Sequence, residues 1–133
     1  MTYLLDSTVY IDWMRQGRNP IRALSSWLRA GSLVGCGVVR AEVLRGMASP
    51  AARREMELLF EHIPDVPMAA SVWDEIAGLA WEMDRAGDVL PLTDIAIAVC
   101  ARRANATVVT HDKHFRSISG VKLIFELPVM GRE

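Results

Sequence analysis

Four acidic residues of this chain occupy positions from which their carboxylates could act together. Asp6 directly follows a short apolar run, and Asp112 follows another with a single residue between. Both runs have the length and composition of buried strands. Asp94 and Glu42 lie within segments that predict helices. The question that the sequence raises is whether one fold brings these four side chains to one place.

Four carboxylates that converge without basic partners repel one another, so the group must bind a cation or lose charge. An oxygen-only ligand set of this kind suits Mg²⁺ or Mn²⁺. An ion held in this way activates a water molecule and stabilises the charge that develops on phosphate oxygens. The pattern therefore predicts a metal-dependent enzyme that cleaves phosphodiester bonds, with nucleic acid as its substrate.

Each acid also has a structural interpretation when it is taken alone. Asp6 could cap the helix that follows it, and Asp94 could be an acidic residue that complements a helix dipole. Asp112 could belong to a turn, and Glu42 could be a solvated helix residue. The prediction of a site therefore rests on the four acids together.

Other residues near these positions fit a site less well. His111 and His114 flank the last acid and could indicate a zinc or manganese site, but no third nitrogen or sulfur ligand is evident. Asp12 falls at an ordinary polar position of a helical pattern. Cys36 and Cys100 fit neither a zinc spacing nor a disulfide framework. We therefore expect both cysteines to be reduced thiols, which is typical of a cytoplasmic protein.

The polar and apolar patterns predict short strands that alternate with helices. The predicted strands cover residues 3–5, 32–37, 63–67, 107–110 and 121–125, of which the third is weakened by prolines. The predicted helices cover residues 8–15, 20–30, 39–47, 50–60, 70–86 and 94–103, with Asn19 and Thr93 as N-caps. Alternation of this kind requires crossover connections and a parallel sheet that is covered on both faces. We therefore predict a single α/β domain over residues 1–133, a three-layer α/β/α sandwich with a central, mostly parallel, short-stranded sheet.

This architecture predicts where the acids lie. Ligands of open α/β sheets bind beyond the carboxyl ends of the strands, and Asp6 and Asp112 both follow predicted strands. Asp94 opens a helix whose residues 95–101 are apolar without a break, which predicts burial on all sides. Glu42 falls inside an apolar arc of its own helix on a helical wheel, so it points into the fold or marks a site.

Composition limits the possible partners. The chain has 133 residues, of which 51% are hydrophobic, and a net charge of −1. This charge argues against a general nucleic-acid coat protein but not against an enzyme that acts on RNA. Thirteen of the 15 basic residues are arginines, which bind phosphate well but are equally explained by genomic codon bias. We find neither a secretion-signal pattern nor an apolar run of about 18 residues, so we expect a cytoplasmic protein that does not span a membrane.

Four segments resemble, in order, the motifs of the PIN-domain nucleases, and more narrowly those of VapC-type toxins from bacterial toxin–antitoxin pairs. The segments are YLLDSTVYID (3–12), VRAEVLRG (39–46), LPLTDIAIA (90–98) and THDKHF (110–115). Each segment is weak alone, but the ordered set covers nearly the whole chain. The resemblance implies that the catalytic, metal-binding acids are Asp6, Glu42, Asp94 and Asp112.

The resemblance also implies roles for residues around these acids. It implies that Thr8, and with it Thr110, provides a hydroxyl that orients a carboxylate or a water molecule. The family often has Thr followed by Ser or Asn after the first Asp, whereas this chain has Ser7 and then Thr8. The basic residues near the motifs that we consider for contacts with RNA are Arg15, Arg40 and Arg45.

The function that the resemblance implies is cleavage of RNA, usually tRNA or rRNA, in a way that arrests translation. It further implies a homodimer, and an antitoxin whose C-terminal segment lies over the site and supplies a basic side chain. Two alternatives stay open: a PIN-domain RNA-processing nuclease without an antitoxin, and a PIN-fold module that only binds RNA or protein. A haloacid-dehalogenase-like phosphatase needs Asp at position 8, where this chain has Thr8, and a receiver-like domain needs an early acidic pair that Asp6 lacks.

Overall fold

The fold joins very short strands through longer helices, and the computed structural model describes it over residues 1–129. The strands are β1 (Tyr3–Leu5), β2 (Thr107–Val109) and β3 (Lys122–Ile124). The helices are α1 (Ser7–Arg15), α2 (Pro20–Arg29), α3 (Gly37–Arg45), α4 (Pro50–Glu61), α5 (Ala70–Arg85) and α6 (Leu92–Arg103). A short 3₁₀ helix, Lys113–Ser117, follows β2. The predicted domain extends to residue 133, and its last four residues lie outside this description.

The three strands form a parallel sheet in the order β1-β2-β3. Tyr3 pairs with Thr107, and Thr107 pairs in turn with Lys122. Because all strands run in one direction, their carboxyl ends meet at one edge of the sheet. The predicted α/β/α class with a mostly parallel, short-stranded sheet is confirmed.

The strands predicted at residues 32–37 and 63–67 are wrong as regular strands, because each contributes only isolated bridges. Leu33 bridges to Tyr3 in parallel, and Gly35 bridges to Asp65 in parallel. Prolines at positions 64 and 67 lack the N–H group that a longer ladder requires. The first segment lies beside β1 and the second lies beside the first, both in the parallel direction, so they extend the sheet without forming full strands.

Within the described residues, side chains cap three of the six helices, namely α1, α2 and α4. Asn19 caps α2, where its side chain accepts the backbone N–H groups of Ile21 at 2.8 Å and Arg22 at 3.4 Å. The predicted cap at Thr93 is wrong, because Thr93 lies inside α6. The helix begins at Leu92, two residues before the predicted start, and it has no side-chain cap. Proline directly before that start disfavours helical geometry only for its own predecessor, so it does not delay the helix.

Helix α6 is the centre of the core, as its unbroken apolar sequence predicts. Each residue from Ile95 to Ala101 is at most 1% exposed. The helix packs against α3, α5 and β2. This burial on all sides fixes its first turn, which carries Asp94, at the edge of the sheet.

Candidate active site at the carboxyl edge of the sheet

Asp6 lies directly after β1 and is almost completely buried, with 2% of its surface exposed. Its backbone N–H donates to the carbonyl of Val109 at 3.0 Å, which continues the pairing of β1 with β2. Its Oδ1 caps α1 by accepting the N–H groups of Thr8 at 3.0 Å and Val9 at 3.4 Å. The capping role that the sequence offered as an alternative is therefore real, and it holds the carboxylate at the strand end.

Two threonine hydroxyls donate hydrogen bonds to this carboxylate, one to each of its oxygens. The Thr8 hydroxyl donates to Oδ1 of Asp6, and the Thr110 hydroxyl donates to Oδ2. Each hydroxyl also accepts a backbone N–H: Thr8 from His111 at 3.1 Å, and Thr110 from Asp112 at 2.9 Å. The two oxygens of Asp6 are thus tied to the turn that follows β2, and this turn carries the next acid.

The electrostatics of Asp6 follow from these contacts. Burial raises the pKa of its carboxyl group, whereas hydrogen bonds from Thr110 and Thr8 lower it. A buried carboxylate without donors would favour the neutral acid. The two hydroxyls therefore stabilise the ionised form that a metal ligand requires.

Asp94 lies in the first turn of α6 and is half-buried. Burial, followed by the charges of Asp112, Asp6 and Glu42 in that order, raises its pKa to about 6. The charge of His114 acts in the opposite direction. Because Coulomb interactions weaken with distance, this effect indicates that Asp6, Glu42 and Asp112 lie within electrostatic range of Asp94.

The remaining two acids are held by single neighbouring groups. Glu42 is half-buried on α3, and its Oε1 accepts the Ser7 hydroxyl at 3.2 Å. Asp112 caps the 3₁₀ helix, where its Oδ1 accepts the backbone N–H of His114 at 2.9 Å and lies 2.8 Å from the Nδ1 of the same residue. Ser7 therefore has a role of its own, because it connects the start of α1 to α3.

The donor chemistry of the cluster fits a hard divalent cation. All four side chains offer only oxygen, which is the ligand type of Mg²⁺ and Mn²⁺. Within residues 1–129, however, no group of three or more Asp, Glu, His or Cys side chains is gathered closely enough to hold a metal ion. Like charges favour separated side-chain positions, so binding an ion requires these carboxylates to turn inward.

A comparison with known protein families identifies the domain. The family model of the PIN domain matches residues 3–121. The chain belongs to the PIN domain family. The matched range contains all four acids.

Solved structures share this PIN fold at low sequence identity. A chain of VapBC2 from Rickettsia felis, bound to a DNA fragment from the promoter, has a TM-score of 0.76 and 19% identity over 93% of this chain and 98% of that one. A chain of VapBC-1 from nontypeable Haemophilus influenzae has a TM-score of 0.73 and 23% identity, over 93% of this chain and 97% of that one. A chain of a toxin–antitoxin complex from Klebsiella pneumoniae has a TM-score of 0.70 and 20% identity, over 95% of this chain and 100% of that one. Comparison with curated proteins found no match.

Two groups around the PIN-domain acids escaped the sequence reasoning. Asp12 looked like an ordinary helix residue, but its Oδ2 lies 2.6 Å from Nδ1 of His111 and holds that ring beside the site. Lys113 and Arg116, together with His114, line a cavity of about 360 Å³ next to Asp112. The signal for this basic group was present, since three basic residues fall within the four positions after Asp112.

The three candidate arginines occupy different settings in the PIN domain. Arg40 forms an ion pair with Asp65 at 2.9 Å and donates to the carbonyl of Phe60 at 3.1 Å, so its guanidinium serves the fold. Arg15 ends α1, about 12 Å along the helix from the end that carries the cluster. Arg45 is exposed one turn beyond Glu42 on α3. Along its own helix, Arg45 is therefore closer to a predicted acid than Arg15 is.

Proposed function

We propose that this PIN domain is a metal-dependent endoribonuclease that acts as the toxin of a toxin–antitoxin pair. The observation that carries the proposal is the environment of Asp94, whose pKa is raised by burial and then by the charges of all three of the other acids. Acidic groups that are held near one another and have a raised pKa are typical of functional sites. Carboxylates that repel one another in this way are stabilised by a divalent cation.

The chain's own residues divide the work of such a site. Burial raises the pKa of Asp6, and the hydroxyls of Thr8 and Thr110 oppose this rise and fix the carboxylate in place. Asp6 would then be a rigid ligand, while Asp94, Glu42 and Asp112 complete the set. A bound Mg²⁺ or Mn²⁺ ion supplies activation of water and stabilisation of charge on the phosphate. The hydroxyls of the two threonines keep the Asp6 carboxylate in place, and such supporting contacts change metal affinity substantially when they are lost.

RNA as the substrate is supported by the charge distribution beside the acids. The 3₁₀ helix that follows Asp112 exposes Lys113, His114 and Arg116 along one cavity. Basic side chains next to a carboxylate cluster provide contacts for a phosphate backbone, whose negative charge the acids alone would repel. We propose the same role for Arg45 on the other side of the cluster.

The test is digestion of end-labelled total tRNA and rRNA with protein that carries no antitoxin. The reactions contain Mg²⁺, Mn²⁺ or EDTA. We expect discrete fragments with either metal, none with EDTA, and a loss of at least about a hundredfold in Asp94→Asn, because mutation of a metal ligand removes charge stabilisation from the transition state.

The matched control is Asp74→Asn, which makes the same chemical change at an exposed position of α5. It should cut like the wild type. Normal cleavage by Asp94→Asn would refute the site assignment. A folded wild-type protein that cuts no RNA with either metal would favour a PIN-fold module that only binds RNA or protein.

The toxin assignment is supported by the neighbours and by an apolar groove. Three of the structures that share the fold come from toxin–antitoxin complexes. An apolar groove of about 440 Å³ lies between α1 and the segment that joins α3 to α4, lined by Ile11, Met14 and Met47 among others. We propose that an antitoxin helix occupies this groove and that its C-terminal segment brings a basic side chain to the acids.

The antitoxin is tested by co-expression with the protein encoded next to this chain. A stable complex with suppressed RNA cleavage is the expected result. Met47→Glu should weaken the complex and leave the cleavage rate of the free protein unchanged, because the groove is separate from the acids. An active nuclease whose neighbour neither binds nor inhibits it would instead indicate an RNA-processing enzyme without an antitoxin.

A further inference from the structure

A second cavity, of about 330 Å³, lies on the other side of the acids, between α1 and the carboxyl ends of the sheet. We call it the α1 cavity. Its floor is apolar, formed by the buried side chains of Val9, Trp13 and Val109. Its rim is polar and exposed, and it includes Gln16, Arg18, His111 and Glu126. The accessible lining is mostly polar above this apolar base, so it suits a ligand that has both a face for stacking and edges for hydrogen bonds.

The α1 cavity shares its wall with the acid cluster. The backbone N–H of His111 donates to the Thr8 hydroxyl at 3.1 Å, and that hydroxyl donates to Asp6. Val9, on the cavity floor, donates its own N–H to Asp6 at 3.4 Å. A nucleotide next to a phosphate that is held by the acids is therefore within reach of this cavity.

One wall of the cavity offers a planar surface for stacking. The guanidinium carbon of Arg18 lies 4.4 Å from the centre of the Trp13 ring. Arg18 is exposed, Trp13 is buried, and both line the cavity, so a guanidinium that covers the ring leaves its outer face available to a ligand. Nucleobases stack on arginine planes as well as on aromatic rings.

The rim favours a neutral ligand with donors and acceptors over a bare phosphate. Arg18 contributes one positive charge and Glu126 one negative charge, so the rim has no net attraction for an anion. His111 is held through Nδ1 by Asp12 at 2.6 Å, which directs its other ring nitrogen away from that contact. Together with the amide of Gln16, this nitrogen offers hydrogen bonds to the edge of a base.

We propose that the α1 cavity binds the nucleobase of a nucleotide beside the scissile phosphate, stacked on the Arg18–Trp13 pair, and thereby sets the base preference of cleavage. The inference rests on the proposed ribonuclease function. It adds a specificity site that lies outside the four acids.

Two substitutions of Arg18 separate stacking from charge. Arg18→Ala removes both, whereas Arg18→Lys keeps the charge and loses the planar face. Arg22→Ala is the matched control, because it removes an exposed arginine from α2. Circular dichroism and thermal unfolding verify that each variant is folded.

The cleavage experiment uses short RNA oligonucleotides randomised around the cut site, with sequencing of the products. Loss of one stacking contact corresponds to roughly a tenfold rise in KM. We expect this rise, with a flattened base preference at one position, in both Arg18 variants but not in Arg22→Ala. Full recovery of KM and preference in Arg18→Lys would overturn the stacking proposal in favour of a simple charge contact.

A binding experiment separates this inference from the proposed function. Uncharged adenosine and uridine, and separately inorganic phosphate, are titrated into the wild-type protein while the NMR signals of the Trp13 indole N–H and the His111 ring are followed. Shifts with the nucleosides, absent in Arg18→Ala, support the cavity even if the protein cuts no RNA. A protein that cleaves RNA but shows no such shift, or shifts only with phosphate, keeps the proposed function and refutes the cavity.

Discussion

Asp6 and Asp94 belong to one cluster but have opposite local environments. Asp6 is buried and accepts hydrogen bonds from two hydroxyls and two backbone N–H groups. Asp94 is half-buried, and its pKa is raised to about 6 by burial and by three neighbouring negative charges. Burial raises the pKa of both groups, but only at Asp94 do the charges of the other acids add to the rise, so substitutions there should affect stability and activity in opposite directions.

The first prediction concerns the stability of Asp94→Asn in EDTA. The ordinary pKa of 3.8 is raised to about 6 in the folded protein, so folding favours the protonated acid. The contribution of Asp94 to stability is thus fully present below about pH 4 and is lost as the pH rises through about 6. Asparagine carries no charge, so the variant should be more stable than the wild type by about 1 kcal/mol near pH 8, after allowance for solvent screening.

Urea unfolding at several pH values between about 4 and 8 measures the difference in the free energy of unfolding between Asp94→Asn and the wild type. It should shrink toward zero at the acid end, where the wild-type carboxyl is also neutral. A difference of constant size across this range would mean that the side-chain change acts through packing and not through charge. Asp74→Asn provides the baseline for an exposed aspartate.

The second prediction concerns Thr110, whose hydroxyl donates to Asp6 and accepts from Asp112. Thr110→Val keeps the shape but removes both contacts from a fully buried position. Leaving a buried carboxylate short of a donor costs about 1–3 kcal/mol, and it should weaken metal binding by roughly tenfold or more.

Mn²⁺ titration by calorimetry and thermal unfolding measure the two effects of Thr110→Val. Thr110→Ser restores the hydroxyl and should recover metal affinity, even if its missing methyl group lowers stability. Equal losses of affinity in the Val and Ser variants would assign Thr110 a role in packing alone.

At the scale of elements, the sheet extends beyond β1 through contacts too short to count as strands. Gly35 exchanges backbone hydrogen bonds with the 64–66 segment, at 2.8 Å to Pro64 and 2.9 Å from Val66. The side chain of Asp65 lies against Gly35 and pairs with Arg40 on α3. This contact joins the sheet to the helix that carries Glu42.

The third prediction compares Gly35→Ala with Gly37→Ala. A Cβ at position 35 would collide with Oδ1 of Asp65, whereas a Cβ at position 37 meets nothing within 4 Å. Gly35→Ala should displace Asp65 from Arg40 and cost about 1 kcal/mol. Gly37→Ala, in the first turn of α3, should be neutral or stabilising by up to about 1 kcal/mol.

Chemical unfolding of both glycine variants tests this pair. Equal stabilities would show that Asp65 moves aside without cost, and would remove the argument that this bridge holds α3 in place. A loss of nuclease activity in Gly35→Ala without a loss in Gly37→Ala is the further expected consequence for the site.

At the scale of the whole molecule, α5 presents large apolar side chains on its outer face. Trp73 is 46% exposed and Trp81 is 58% exposed, and they fall within an arc of about 80° on the helix. Arg85 lies over the Trp81 ring at 4.2 Å. Exposed tryptophans in one strip are typical of protein interfaces.

No helix within residues 1–129 has the length and apolar character needed to cross a membrane.

The fourth prediction is a homodimer that uses this face of α5. Trp73→Glu combined with Trp81→Glu should give a monomer in light scattering at concentrations where the wild type is a dimer, because each charge would be buried at the interface. Leu58→Glu on α4, also at an exposed apolar residue, is the control and should leave the mass unchanged. A monomeric wild type, or a double variant that still dimerises, would refute the assignment.

Some features of this protein follow from the sequence by itself. Asp6 and Asp112 each come at or just after the end of a strand, and the carboxyl ends of parallel strands must share an edge, so their proximity was predictable. The burial of α6 follows from its unbroken apolar residues 95–101. The caps of α1 and α2 were predictable because the side chains of Asp6 and Asn19 act on backbone groups two or three residues away.

Other features were decided only by the tertiary structure, because they join residues whose spacing carries no local signal. Cys36 and Cys100 are free thiols, yet their sulfur atoms lie 3.4 Å apart, where the start of α3 packs against α6. The contact of Asp12 with His111 spans 99 positions, and it depends on how α1 packs beside the end of β2. Periodicity determines which face of an element is buried, but only packing in three dimensions determines which distant side chain that face meets.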